Sequence, residues 1–205
     1  VTEVAVGGRR ANKRGIASRE SMLEAAITSL ATGDPAAVSG NRIARDIGAT
    51  WGVVKYQFGD IDGLWAAVLR YTADKRGDLP AGIKPDGTLH ERVSALIHAM
   101  AAGLRRPESL AIETLRAALP RDNAELERDF PLTAAELSSW KPHWDSACER
   151  AFADLEVDAL KIRQVAALIP AAMRGITSER TLGTYGDLDD ALDGLIGSLV
   201  AYLES

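Results

Sequence analysis

The most constraining feature of the chain is a small-residue turn, Gly48-Ala49-Thr50, set between two short segments with apolar patterning. Before it, Ile43, Ala44 and Ile47 form one face of a helix over 40–47, which Ser39 can cap and Gly48 can end in the left-handed conformation. After it, Thr50 can cap a helix over 51–58 in which Val54 and Phe58, four apart, point the same way. The first of these helices packs across the second through the tight turn, which is the geometry of a helix-turn-helix. Upstream, Ser18 caps a helix over 19–32 carrying Met22, Leu23, Ala26, Ile27 and Leu30 at helical spacing, with Gly33 past its end. Downstream, Gly59-Asp60 breaks and recaps the chain, and Ile61, Leu64, Trp65, Val68, Leu69 and Thr72 define a helix over 61–76.

The remaining pattern is also helical. Thr88 and Glu91 have the spacing of a capping box for a helix over 89–104, and Pro107 can start another to 118. A short helix near 122–129 follows, then one capped by Thr133 and running to 155, with Pro142 as a kink or break. Asp158 caps a helix to 179, residues 181–187 form a loop, and a last helix covers 188–203. Alternating β-branched runs are scarce, which argues against a sandwich or barrel. The fold class expected is all-α.

Composition narrows the setting. No run approaches the roughly 18 apolar residues of a membrane span, and Val1 to Arg19 lacks the apolar centre of a signal peptide. The single cysteine, Cys148, allows no internal disulfide and no Cys-rich zinc site, so a reducing, cytoplasmic location and no metal or cofactor are expected. Charge is uneven: residues 1–76 hold 11 Lys/Arg against 8 Asp/Glu, a net of +3, while residues 77–205 hold 13 against 21, a net of −8. A basic first third on an acidic body suggests one end that faces a polyanion. Catalysis is not expected. Cys148 and His143 are five apart on a helix and turn away from each other, and His90-Glu91 lacks the second histidine of a zinc helix.

With Val54 and Phe58 inward, the helix over 51–58 leaves Thr50, Trp51, Gly52, Val53, Lys55, Tyr56 and Gln57 largely outside. Such a helix can enter a major groove: Gln reads adenine, Thr and Val touch a thymine methyl, and Lys or Tyr holds phosphate. Ser39 and Asn41 join the candidate DNA-binding set, as do Arg9, Arg10, Lys13 and Arg14 in a flexible basic arm over 1–17.

At these residues the chain resembles the TetR family of transcriptional regulators. The resemblance runs from SRESMLEAAITSLATG through NRIARDIGATWGVVKYQF into GDIDGLWAAVL. It rests on Arg19, Ala25-Ala26, Gly33, Ile43-Ala44, Gly48, Thr50, Gly52, Phe58 and Leu64, and covers about residues 18–70. The chain departs from the family pattern at Lys55 (usually a phosphate-binding tyrosine), Gln57 (usually histidine), Trp51 (often basic) and Ile61 (usually lysine, here flanked by Asp60 and Asp62).

The resemblance implies a helix-turn-helix DNA-binding domain over 18–60 and a helical effector-binding and dimerisation domain over 61–205. It implies a homodimer on a palindromic double-stranded operator, released by a small-molecule effector, with no membrane partner. Candidate pocket residues are His98, Met100, Trp140, His143, Trp144, Cys148 and Met173. The apolar run at Val165, Ile169 and Met173 and the stripe Leu192, Leu195, Ile196, Leu199 and Leu203, with Gly197 beside it, are the candidate dimer interface.

Overall fold

Helices dominate because almost every segment between the Gly and Pro breakers carries apolar residues three and four apart, and no strand occurs among the described residues. The computed structural model describes residues 7–76, 86–183 and 187–205; the side chains of 7–18, 76, 180 and 181 fall outside that description. The elements are α1 (Gly7–Leu30), a 3-10 turn (Pro35–Val38), α2 (Gly40–Asp46), α3 (Trp51–Phe58), α4 (Ile61–Arg76) and α5 (Leu89–Leu104). They continue with α6 (Pro107–Ala118), α7 (Asn123–Asp129), α8 (Pro131–Phe152), α9 (Ala159–Leu182) and α10 (Leu188–Glu204).

Several boundaries follow from local chemistry. The Thr88 hydroxyl accepts from Glu91 N while the Glu91 carboxylate accepts from Thr88 N at 2.8 Å, completing the expected capping box. Asp122 and Asp187 cap α7 and α10 with their carboxylates alone, accepting from Glu125 N and Asp189 N. Other boundaries correct the sequence reading. α1 begins at Gly7, so the expected flexible arm is helical from that residue; the Ala-Asn-Lys-Arg stretch contains good helix formers, and the glycines lower its stability without breaking the backbone. Thr133 does not cap α8, which starts at Pro131. α8 and α9 carry Pro142 and Pro170 inside them, and α9 runs on to Leu182 into the segment expected as a loop. Residues 184–186 of that segment lie outside the described residues.

The chain divides into two compact units, and the division is not the expected one at residue 60. Unit 1 comprises Val1–Lys75 with Pro107–Glu136; unit 2 comprises Arg76–Arg106 with Leu137–Ser205. The cause lies in α6. Its buried face, Ala111, Ile112 and Leu115, packs against α1 and the 3-10 turn, so α6 completes the helix-turn-helix unit. Fully buried side chains in this unit include Leu30, Ile43, Leu64, Trp65, Leu69 and Leu115.

Unit 2 has its own core, with Val93, Leu96 and Ile97 of α5 against Phe152, Val165, Ile169, Met173, Leu192, Ile196 and Leu199. Arg92, 3% exposed, is held among these helices. It donates to the carbonyls of Gly87 and Ala151 at 2.7 and 2.9 Å and forms a two-pronged ion pair with Asp154. Among the described residues no helix is long and apolar enough to cross a membrane.

The Arg92 hydrogen bond holds the Asp154 carboxyl below the ordinary carboxylate range. A lowered folded value stabilises above the unfolded value, about 3.9, and that contribution is lost as pH falls through the folded one. Asp154→Asn is therefore expected to lower the urea midpoint at neutral pH and to shrink the loss between neutral pH and about pH 3. Denaturation curves at the two pH values check it; an unchanged acid loss removes Asp154 as a contributor.

Candidate nucleic-acid interface

The α2–α3 corner is closed by the backbone. Gly48 adopts φ 68°, which a side chain disfavours, and Ala49 N then donates to Ala44 O at 2.9 Å. Val54 is fully buried and Phe58 is 9% exposed, which fixes the rotation of α3. The face turned to solvent is Gly52, Val53, Lys55 and Tyr56, with Tyr56 87% exposed. No atom outside its own turn lies within 3.5 Å of where a Gly52 Cβ would be, so this face is open. Ser39, Asn41 and Thr50 are exposed beside it, and neither the Ser39 nor the Thr50 hydroxyl makes the cap hydrogen bond expected at a helix start. The first turns of α2 and α3 therefore present hydroxyls and backbone N–H groups outward, groups suited to phosphate oxygen.

Two candidates sit differently. Trp51 is half-buried, because Gly40 leaves room for its ring: a Cβ at Gly40 would lie 3.1 Å from Trp51 Cη2 and Cζ3, and 3.5 Å from Ile61 Cδ1. The two positions usually basic in the resembled family here pack around one glycine. Gln57 is half-buried and turns from the outward face into a cleft between α1, α4 and the start of α8.

The acids around Ile61 each cap a helix, Asp60 at the surface and Asp62 buried. Asp60 accepts from Gly63 N at 2.8 Å and caps α4. Asp62, 6% exposed, accepts from Leu132 N at 2.9 Å and Thr133 N at 2.8 Å, and so caps α8 from a distant part of the sequence. It takes the role expected of Thr133, which is fully buried and donates its hydroxyl to Asp62 O. No local signal marks this pairing, since the partners are about 70 residues apart. On α2, Arg42 is held between Asp46 and Asp34, and the Ser29 hydroxyl and then Arg42 lower the Asp46 carboxyl below its usual range.

The side chains of Arg9, Arg10, Lys13 and Arg14 lie outside the described residues. In unit 2, His98 and His143 are exposed, each with Nδ1 within 2.8 Å of the carbonyl one turn earlier on its own helix, so they face away from the interior. Cys148 and Met173 are buried in the core cluster, with Met100 and Trp144 packed against it; Trp144 Nε1 donates to Ala166 O at 2.6 Å. Trp140 is half-buried. Burial pushes the Cys148 thiol up to about 12, which leaves it unreactive. Among the described residues no cluster of His, Cys, Asp and Glu is placed to hold a metal.

The expected dimer stripe is corrected as well. Val165, Ile169, Met173, Leu192, Ile196, Leu199 and Leu203 are buried within one protomer, and Leu195 is half-buried against the same core. Among their large apolar side chains, α9 leaves Leu160, Leu168 and Leu182 exposed and α10 leaves Tyr202, with Gly194 and Gly197 in open space.

No family model matches the chain, and no curated protein matches it in sequence. Solved structures do. A proposed TetR-family transcriptional regulator from Rhodococcus sp. superposes with a TM-score of 0.67 at 23% identity, covering 92% of this chain and 99% of its own. The chain has the TetR fold. The multidrug-binding protein EbrR, solved with imidazole, matches at TM-score 0.61 and 19% identity over 88% of this chain and 93% of its own. A proposed TetR-family regulator from Vibrio parahaemolyticus gives 0.60 and 19% over 90% and 97%. Such coverage extends the TetR fold well beyond residues 18–70, where the sequence motifs lie.

Two measurements follow. Gly40→Ala is expected to destabilise the chain by about 1–3 kcal/mol through the Trp51 ring, and Trp51→Phe, which removes both close atoms, is expected to relieve that cost in the double variant. Thermal or urea unfolding of the four proteins checks the cycle; additive effects contradict the contact. Asp62→Ala leaves the buried Thr133 N–H and the part-buried Leu132 N–H without their acceptor and is expected to lower the urea midpoint, at a cost of about 1–3 kcal/mol for the buried group.

Proposed function

We propose that the chain is a sequence-specific DNA-binding transcriptional regulator, acting as a homodimer on a palindromic operator and released by a small-molecule effector. The observation that carries this reading is the outward face of α3. Gly52, Val53, Lys55 and Tyr56 stand clear of the fold while Val54 and Phe58 anchor the helix. Lys55 and Tyr56 are suited to phosphate, Val53 to a thymine methyl, and Gly52 to close approach of the duplex. Exposed Ser39, Asn41 and Thr50 extend the phosphate-facing surface. Asp62 is buried and turned to the N-terminus of α8, so its carboxylate does not face the outward surface.

The similarity to proteins described as transcriptional regulators supports the DNA-binding reading, and the drug-binding description of EbrR supports a ligand-responsive unit 2. For the dimer, the exposed leucines of α9 and the open space at Gly194 and Gly197 of α10 leave room for a second helix pair, and a twofold arrangement covers both copies at once. An effector that favours a conformation with the two α3 elements wrongly spaced weakens DNA binding, and DNA weakens effector binding by the same factor.

Selection from random double-stranded DNA tests the reading: an inverted repeat is expected, and no binding even at low salt overturns it in favour of a helical ligand-binding module. On the recovered site, Lys55→Ala should weaken binding to all sequences and flatten the salt slope by roughly one unit per half-site. Gly52→Glu should fold normally and abolish binding, since it puts bulk and negative charge at the centre of the open face. Sedimentation of Leu168→Glu and Gly197→Glu proteins should show monomers where the parent is a dimer; variants that stay dimeric move the interface elsewhere.

A further inference from the structure

The cleft that receives Gln57 has no part in the reading above. It has a volume of about 350 Å³, within the range of small-ligand pockets, and lies wholly in unit 1. Small residues line much of it: Ala66 and Ala67 on α4 and Ala135 on α8, together with Phe58. Leu132 extends the apolar wall.

The polar rim is uneven in charge. Arg70 is paired with Glu136 across the cleft. Arg19 lies over the Phe58 ring, with its guanidinium carbon 4.8 Å from the ring centre, and is in no ion pair among the described residues. A guanidinium stacked by one face keeps its N–H edge for a planar acceptor, and a carboxylate matches that edge with two hydrogen bonds. Gln57 adds a neutral donor and acceptor on the α3 side. With Arg70 paired to Glu136, Arg19 is the rim cation with no ion-pair partner among the described residues, beside a lining of alanine and phenylalanine.

We propose that this cleft is a binding site for a small monocarboxylate with a flat apolar body, held by Arg19 through its carboxylate and by Phe58 and the alanines through its body. Arg19 offers one edge for one carboxylate, and the limited volume excludes a large body, which sets the chemical class. The site is separate from the effector region expected in unit 2 and does not depend on the DNA-binding reading.

The test uses the full chain with ¹³C-labelled alanine methyls, titrated with benzoate, and with benzamide as the neutral probe of the same shape. Saturable shifts of the Ala66, Ala67 and Ala135 methyls by millimolar benzoate are expected, with benzamide about tenfold weaker or more, because it lacks the charge. Arg19→Gln should weaken benzoate by about tenfold or more. Ala135→Leu, at an exposed position that spares the core, should abolish the cleft shifts by filling the space. Absence of saturable shifts in the millimolar range, equal binding of benzamide, unchanged affinity in Arg19→Gln, or shifts confined to Ala147, Ala151 and Ala166 of unit 2 would each overturn the proposal. Benzoate binding at the cleft in a protein that retains no DNA affinity would support the site and count only against the DNA reading.

Discussion

The carboxylate of Asp62 ties together α4 and α8, two parts of unit 1 about 70 residues apart in the chain. The first N–H groups of α8 have no partner within their helix, and in a buried setting an unsatisfied donor is costly. Asp62 supplies both acceptor oxygens from the first turn of α4, at the positive end of the α8 dipole. The neighbouring Gly63 is as constrained as the acid itself: a Cβ there would sit 1.9 Å from Phe58 O. The end of α3, the start of α4 and the start of α8 therefore meet at one point, and the aim of α3 depends on it. Arg70 with Glu136 fastens the same pair of helices two turns further on.

This arrangement changes how the acidic surroundings of Ile61 are understood. Read along the chain, Asp60 and Asp62 look hostile to a polyanion. In three dimensions both are helix caps, one for its own helix and one for α8. The outward face of α3 presents one aromatic ring and Lys55, flanked by the hydroxyls of Ser39 and Thr50. Contacts of that kind depend on shape more than on net charge.

The helices were legible in the sequence because their signals are local. Gly48, Gly59, the Thr88 box and the Asp caps act on the residues next to them, and α2 to α6 begin and end within a residue of expectation. What the sequence did not reveal is which element covers which. The apolar stripe of α10 was visible as a stripe, but periodicity does not say whether its cover comes from α5 and α9 of the same protomer or from a second copy. The allocation of α6 to unit 1 and the capping of α8 by Asp62 were hidden for the same reason, since each joins residues far apart in the chain. The half-buried seat of Trp51 was hidden because the space it fills is made by a missing side chain, that of Gly40.

The interleaving of the two units has a consequence for how the chain is made. Unit 1 draws on residues 107–136, so a ribosome that has released only α1 to α4 has produced a helix-turn-helix whose α1 face still lacks Ala111, Ile112 and Leu115. That surface stays open while the whole of α5, which belongs to the other unit, is synthesised. Unit 1 closes once Glu136 has emerged, and unit 2 waits for α10 at the far end. The order of completion during synthesis is thus written in the threading of the chain, and a transplant of residues 1–60 alone between relatives would carry a surface shaped for another protein's sixth helix.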